Sequence, residues 1–236
     1  MSVPYLLTRV RLEDYLRHDC IGDLLEKTRV EGIEAFTCER WLRDSAAKRL
    51  MYWELYGELL QYGAPRLRIL DVGGGFCALS KILIEKHEYT LVEINAHDDG
   101  EQLRRMERQL GREFLAETDW YDLDANGGWD IVIANDLFPN VDQRLPLFLD
   151  KFIRACGEIR LSLTYHERSR FYFARRLNAD EIICVLAWNG MQTWAAIEPY
   201  LSAEQRASGL PSAEESIFEN GRQVLMARLN GRGGGT

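Results

Sequence analysis

The sequence predicts an α/β chain: a doubly wound, mostly parallel sheet with helices on both faces, preceded by a helical N-terminal segment. Two patterns carry this expectation. From Arg68 onward, short apolar runs at 68–72, 89–94, 129–134 and 158–164 alternate with helix-forming stretches at 78–86, 101–110 and 143–156. That is the rhythm of parallel strands, each of which needs a crossover before the chain can return to the same sheet edge. Before Arg68 there is no glycine-rich loop and no long alternating run, only apolar residues near helical spacing. With 46% hydrophobic residues in 236, the chain can fill a full core.

In order, residues 1–65 read as a helical lid over the site. The clearest helix there spans 38–62, where Leu42, Ala46, Leu50, Trp53, Leu59 and Leu60 recur on one face. Thr37 is its expected N-cap, and Gly63 with Pro65 its stop. Residues 66–230 form the α/β domain and 231–236 a flexible glycine-rich tail. Within the last third, Asn178-Ala179-Asp180-Glu181 has capping-box spacing. It predicts a helix carrying Ile182, Ile183, Val185 and Leu186 and ending at Gly190. Residues 191–197 then read as a strand, and 223–229 as a final one.

The net charge of −8 makes nucleic acid and anionic membranes poor partners, although Arg168, Arg170, Arg175 and Arg176 make a local basic group, read as a solvated face. The five cysteines include no Cys-x-x-Cys pair and no cluster at zinc spacing, so reduced thiols are expected. Neither a secretory signal nor a membrane-length apolar run is visible, and the expected location is cytoplasmic.

The chemistry concentrates at Asp71-Val72-Gly73-Gly74-Gly75, where an apolar strand turns into a helix. Glycines there allow positive φ and let a ligand approach the backbone, and the helix start offers free N–H groups. Glu93, about 20 residues after the first glycine, completes a spacing that also suits dinucleotides. Asp71 separates the two ligand classes. A carboxylate expected to face the ligand opposes a pyrophosphate by on the order of a kcal/mol or more, but attracts the ammonium and sulfonium of S-adenosylmethionine. In addition, none of the ten tyrosines has a lysine four residues on, so the parts of one common dehydrogenase site are missing.

Leu70-Asp71-Val72-Gly73-Gly74-Gly75 resembles motif I of the class I S-adenosylmethionine-dependent methyltransferase superfamily, which has a Rossmann-like fold. Glu93, closing Tyr89-Thr90-Leu91-Val92-Glu93, matches that family's acid for the ribose hydroxyls. Asp119-Trp120 falls where the family often has an acid and a neighbour beside the adenine. Trp129-Asp130-Ile131-Val132-Ile133-Ala134-Asn135-Asp136 is similar to the strand whose end faces the methyl group. The resemblance covers about Arg68 to Thr164. It implies that S-adenosylmethionine is held by Asp71, Gly73, Gly74, Gly75, Glu93, Asp119, Trp120 and Asn135. Cys77 stands where the family often has a further glycine, which bears on how the loop fits the methionine moiety.

The acceptor is expected beyond the carboxyl ends of the strands. Most of the candidate residues here have two readings. Asp136 is a proton acceptor or a helix cap, His166 a general base or a surface residue, and Trp120 an adenine platform or a packing residue. Tyr52 and Tyr56, one helical turn apart, are expected with Tyr165 to line a small-molecule pocket. A small hydroxyl acceptor is favoured, of the kind found on a sugar or an aromatic metabolite, with His166 or Asp136 as base and no metal. A nicotinamide-dependent oxidoreductase and a catalytically silent interaction module of the same fold are the alternatives.

Overall fold

The computed structural model describes residues 3–95, 97–176 and 181–231. The chain opens with a two-residue strand, β1 (Tyr5–Leu6). Four helices follow: α1 (Arg9–Leu16), α2 (Cys20–Lys27), α3 (Thr37–Asp44) and α4 (Ala46–Leu60). Strands and helices then alternate as β2 (Arg68–Val72), α5 (Ala78–Lys86), β3 (Glu88–Glu93), α6 (Gly100–Leu110), β4 (Leu115–Glu117), β5 (Trp129–Asn135), α7 (Leu145–Phe152) and β6 (Cys156–Tyr165). The remainder is β7 (Arg170–Arg176), β8 (Glu181–Ala187), α8 (Gly190–Ile197), α9 (Ala203–Ser208) and β9 (Gln223–Asn230).

Seven strands form one sheet in the order β1-β9-β6-β5-β2-β3-β4. Strands β2 to β6 are mutually parallel, β9 lies antiparallel to β6, and β1 antiparallel to β9. The two-residue alternation of a strand sorts the core into two layers. Ile69, Ile131 and Ile133 point into one layer with α4, α5 and α6; Leu70, Val132 and Ala134 point into the other with α7 and α8. Helices therefore cover both faces, as the sequence predicts. No described helix is long and apolar enough to cross a membrane, and all five cysteines are free thiols.

The N-terminal region is more than a cover. Leu50, Met51, Leu55 and Leu59 of α4 share one buried cluster with strands β2 and β5. Arg160, buried in the middle of β6, fixes α4 to the sheet by donating to Leu55 O at 2.7 Å and Glu58 Oε2 at 3.0 Å. The helix predicted over 38–62 is two helices. Ser45 is extended (φ −131°) and its hydroxyl accepts from the Lys48 N–H at 3.3 Å, so it caps α4 where a continuous helix was expected. Thr37 is the first residue of α3 and not its cap; its N–H is taken by Asp98 Oδ1 at 2.9 Å.

Two other expectations invert. Residues 181–187 form a strand, not a helix, and 190–197 a helix, not a strand. Strand β8 pairs with β7 in a separate two-stranded sheet, where β-branched Ile182 and Val185 suit an extended backbone. Gly190 opens α8: Asn189 caps it by accepting from Gln192 N at 2.9 Å, and Gln192 Oε1 accepts from Asn189 N in return. Asn178, Ala179 and Asp180 of the predicted cap lie outside the described residues, as does most of the predicted tail. Gly231 alone is described there, its N–H bonded to Gly157 O at 2.8 Å. The short strands β1 and β4 carry too few residues to produce a readable alternation.

Strand β1 and the residue that follows it nevertheless matter to both layers. Leu6 is buried in the α7–α8 layer and Leu7, whose N–H bonds Val224 O at 2.9 Å, in the α4–α5 layer. Replacing Leu7 by alanine leaves a cavity beside α4 and is expected to lower the free energy of unfolding by about 2–5 kcal/mol, read from urea denaturation.

Candidate functional site

The carboxyl ends of β2, β3 and β5 open into a cavity of about 820 Å³, closed on one side by α3 and the start of α4. The turn after β2 forms its floor. Gly73 (φ 66°) and Gly75 (φ 70°) are left-handed, and a Cβ on Gly74 would run into the Asp71 carboxylate, so the turn needs glycine for both its conformation and its clearance. Glu39 of α3, fully buried, accepts from the Ala78 N–H at the start of α5 at 2.8 Å and from Arg43 Nε at 2.7 Å. It occupies an anion position at a helix N-terminus, and so ties the N-terminal helices to the turn.

Asp71 does not face the cavity. Its carboxylate lies beneath the turn and accepts from the Tyr56 hydroxyl at 2.9 and 3.0 Å and from the Tyr89 hydroxyl at 2.7 Å. Burial pushes its pKa up to about 6, against the two tyrosine donors, which hold it down. This corrects the expectation that Asp71 meets the ligand. Tyr52 and Tyr56, expected to line the acceptor pocket, stack on each other at 4.2 Å between centroids and are buried in the core beside Asp71. Their common helical face turns toward the sheet. Tyr165 is likewise buried, in the α7–α8 layer.

Glu93 sits at the cavity wall. Its Oε1 accepts from the Gly75 N–H at 3.0 Å. Desolvation pushes its pKa up to about 7; the Gly75 N–H opposes that, and Asp71 and Asp98 add repulsion. Asp119 and Trp120 also line the cavity. Arg144 Nη2 donates to Asp119 Oδ2 at 2.9 Å and to Asp142 Oδ2 at 2.7 Å, and the guanidinium lies 4.6 Å from the Trp120 ring centre. Trp120 answers to both of its readings: it borders the cavity, yet its ring packs edge-on against Phe148 at 5.4 Å and its Nε1 donates to Asp142 at 2.8 Å.

Asn135 ends β5 and Asp136 follows it, and both line the cavity. Asp136 is left-handed (φ 54°), and its buried carboxylate is bridged by Lys48 and, at 3.4 Å, by Arg222 Nη2. Desolvation alone would raise its pKa, but the two cations hold it below the usual carboxylate range. A carboxylate so paired is a weak base, which argues against the catalytic role expected for it. His166 is not among the cavity-lining residues described; its N–H bonds Trp188 O at 2.9 Å. Burial, with Arg170 and Arg222 nearby, lowers its pKa.

The structure thus brings Gly73, Gly74, Gly75, Glu93, Asp119, Trp120, Asn135 and Asp136 together and leaves Asp71, Tyr52, Tyr56, Tyr165 and His166 outside. Lys48, Arg222, Glu39 and Arg144 were not singled out as site residues from the sequence. They lie far from the glycine turn in the chain, and no spacing links them to it.

No protein-family model matches the chain, and no curated protein matches it in sequence. Solved structures do match. A 1,6-didemethyltoxoflavin-N1-methyltransferase from Burkholderia thailandensis, bound to 1,6-didemethyltoxoflavin and S-adenosylhomocysteine, aligns with TM-score 0.50 and 14% identity over 96% of this chain and 92% of its own. The N-methyltransferase NodS from Bradyrhizobium japonicum, in complex with S-adenosylhomocysteine, aligns with TM-score 0.52 and 12% identity over 90% and 98%. The protein PH0226 from Pyrococcus horikoshii aligns with TM-score 0.50 and 16% identity over 76% and 89%. The fold is that of the class I S-adenosylmethionine-dependent methyltransferases.

The raised carboxyl groups set a pH dependence. The stability due to Glu93 is fully present below its unfolded pKa near 4.5 and is lost as pH rises through about 7; that due to Asp71 is present below 3.8 and lost through about 6. His166 and the ion-paired Asp136 work in the opposite sense, since their folded pKa values are lowered. Unfolding free energy should therefore fall as pH is raised from about 4 to 7, and Glu93→Gln should flatten the slope between about 4.5 and 7. A wild-type slope that the substitution leaves intact would assign the effect to other groups.

Proposed function

We propose that this protein is an S-adenosylmethionine-dependent methyltransferase acting on a small molecule. The observation that carries the reading is the Glu93 carboxylate, hydrogen-bonded to the Gly75 N–H across one cavity wall that the glycine turn also forms. The residues fit the cofactor. Glu93 would take the ribose hydroxyls, the backbone of Gly73 to Gly75 the amino-acid part, Asp119 and the Trp120 edge the adenine, and Asn135 the approach to the methyl group. When bound, S-adenosylmethionine supplies an electrophilic methyl group on a sulfonium.

The electrostatics support this ligand over a dinucleotide. Asp71 behind the turn, with Glu93 and Asp98 at the wall, makes a region that attracts a cation and opposes a pyrophosphate. A cavity of about 820 Å³ suits a nucleoside-sized cofactor with a small acceptor.

The chain's own residues then align the acceptor and exclude water. Trp41 and Leu42 of α3 line the cavity together with Asn135 and Asp136. The hydroxyl acceptor expected from the sequence needs a base, and of its two candidates Asp136 is ion-paired and His166 lies outside the cavity lining. A nucleophile that reacts without one, a neutral amine or an acid oxyanion, fits these residues better. Lys48 and Arg222 would favour either, because nearby cations lower the pKa of an ammonium and stabilise an anion.

Isothermal titration with S-adenosylhomocysteine tests the reading. Binding is expected, with none by NADPH, and Glu93→Ala should weaken it by about 1–3 kcal/mol through loss of charge-assisted hydrogen bonds. Affinity should also decline as pH falls through about 7, where Glu93 takes up a proton. NADPH binding in place of S-adenosylhomocysteine would point to an oxidoreductase.

A further inference from the structure

We propose that the methyl acceptor carries a carboxylate, and that Arg222 with Lys48 selects it; this rests on the methyltransferase reading above and adds the chemistry of the substrate. Arg222 immediately precedes β9, whose first residue, Gln223, pairs with Tyr165 at the carboxyl end of β6. It therefore overhangs the carboxyl ends of β5 and β6, where an acceptor approaches in a sheet of this kind. Glu93 and the cofactor-facing turn belong to β3 and β2, farther along the sheet.

The guanidinium lines the cavity and stacks on Phe218, 4.4 Å from the ring centre, with its side chain 14% exposed. Its hydrogen bonding is incomplete. Asp136 Oδ2 meets Nη2 at a long 3.4 Å, and Nε is buried with no hydrogen-bond partner among the described residues. Lys48 reaches the same Oδ2 from α4, and its ammonium lies 5.1 Å from the Trp41 ring centre. Two enclosed cations share one carboxylate oxygen, so this end of the cavity has one positive charge in excess. Arg144, the other lining arginine, is already held by Asp119 and Asp142. A monoanion balances the excess, and a carboxylate is a monoanion whose planar geometry a guanidinium edge matches. A phosphate dianion would overshoot it.

The amino-acid carboxylate of the cofactor has the same chemistry, and the test separates the two sources. The full chain is saturated with S-adenosylhomocysteine and titrated with benzoate, benzamide and phenyl phosphate, three probes of similar shape. Benzoate is expected to bind about tenfold or more tightly than either of the others. Arg222→Gln should lose that preference by about tenfold while its S-adenosylhomocysteine affinity stays within about twofold, which also reports that the variant is folded. Arg222→Lys, which keeps the charge, should recover part of it. Benzoate and benzamide binding alike, or not at all, overturns the proposal, as does a preference for phenyl phosphate. If Arg222→Gln weakens S-adenosylhomocysteine but not 5′-methylthioadenosine, which lacks the amino-acid part, Arg222 serves the cofactor and the acceptor proposal falls. Failure of the wild-type chain to bind S-adenosylhomocysteine, seen before any probe is added, overturns the methyltransferase reading itself.

Discussion

The carboxylate of Asp71 lies under the glycine turn, where three parts of the chain meet. Tyr56 comes from α4, Tyr89 from β3 and Asp71 from β2, and their hydroxyl-to-carboxylate bonds of 2.7 to 3.0 Å are buried. A buried carboxylate is costly unless its lone pairs are met, so each of the three elements is held to one position relative to the others. The turn follows from that arrangement. Gly74 must lack a side chain because Asp71 occupies the space beneath it, and Gly75 can then present its N–H to Glu93. Removal of the N-terminal helices would thus leave the turn without its support as well as the cavity without its side wall.

From this floor the cavity changes character along its length. The β3 end is acidic, with Glu93 and Asp98; the β5 end is cationic, with Lys48 and Arg222 around Asp136. A cationic cofactor and an anionic acceptor would each lie against the charge that attracts it. The same field also holds Asp136 ionised and paired, a state in which it is a weak base; under the proposed reading, alignment and desolvation would be the contributions of the protein to transfer.

Legibility differed by the range of the interaction involved. Strand β2 and helix α5 lie where the pattern predicts, because a strand–glycine–helix junction is written in neighbouring residues. The two inverted elements, 181–187 and 190–197, have mixed local signals, and pairing with β7 selected the strand. The break at Ser45 was available in principle, since a serine ahead of Lys48 is a capping residue, but a continuous apolar face concealed it. Tyr52 and Tyr56 show the limit of facial periodicity: it places them on one side of a helix without saying whether that side meets solvent, ligand or sheet.

What the sequence by itself determined is the α/β order, the glycine turn and the acid 18 residues beyond Gly75 at Glu93, because these depend on local spacing and on which residue types tolerate a tight turn. Only the tertiary structure decided which way the side chains face. It turned Asp71 away from the cavity, drew Lys48 and Arg222 onto Asp136 across 88 and 86 residues of chain, and added the β1 edge strand to β9. The reason is physical. A charge is placed by the partner that compensates its desolvation, and that partner can lie anywhere in the chain.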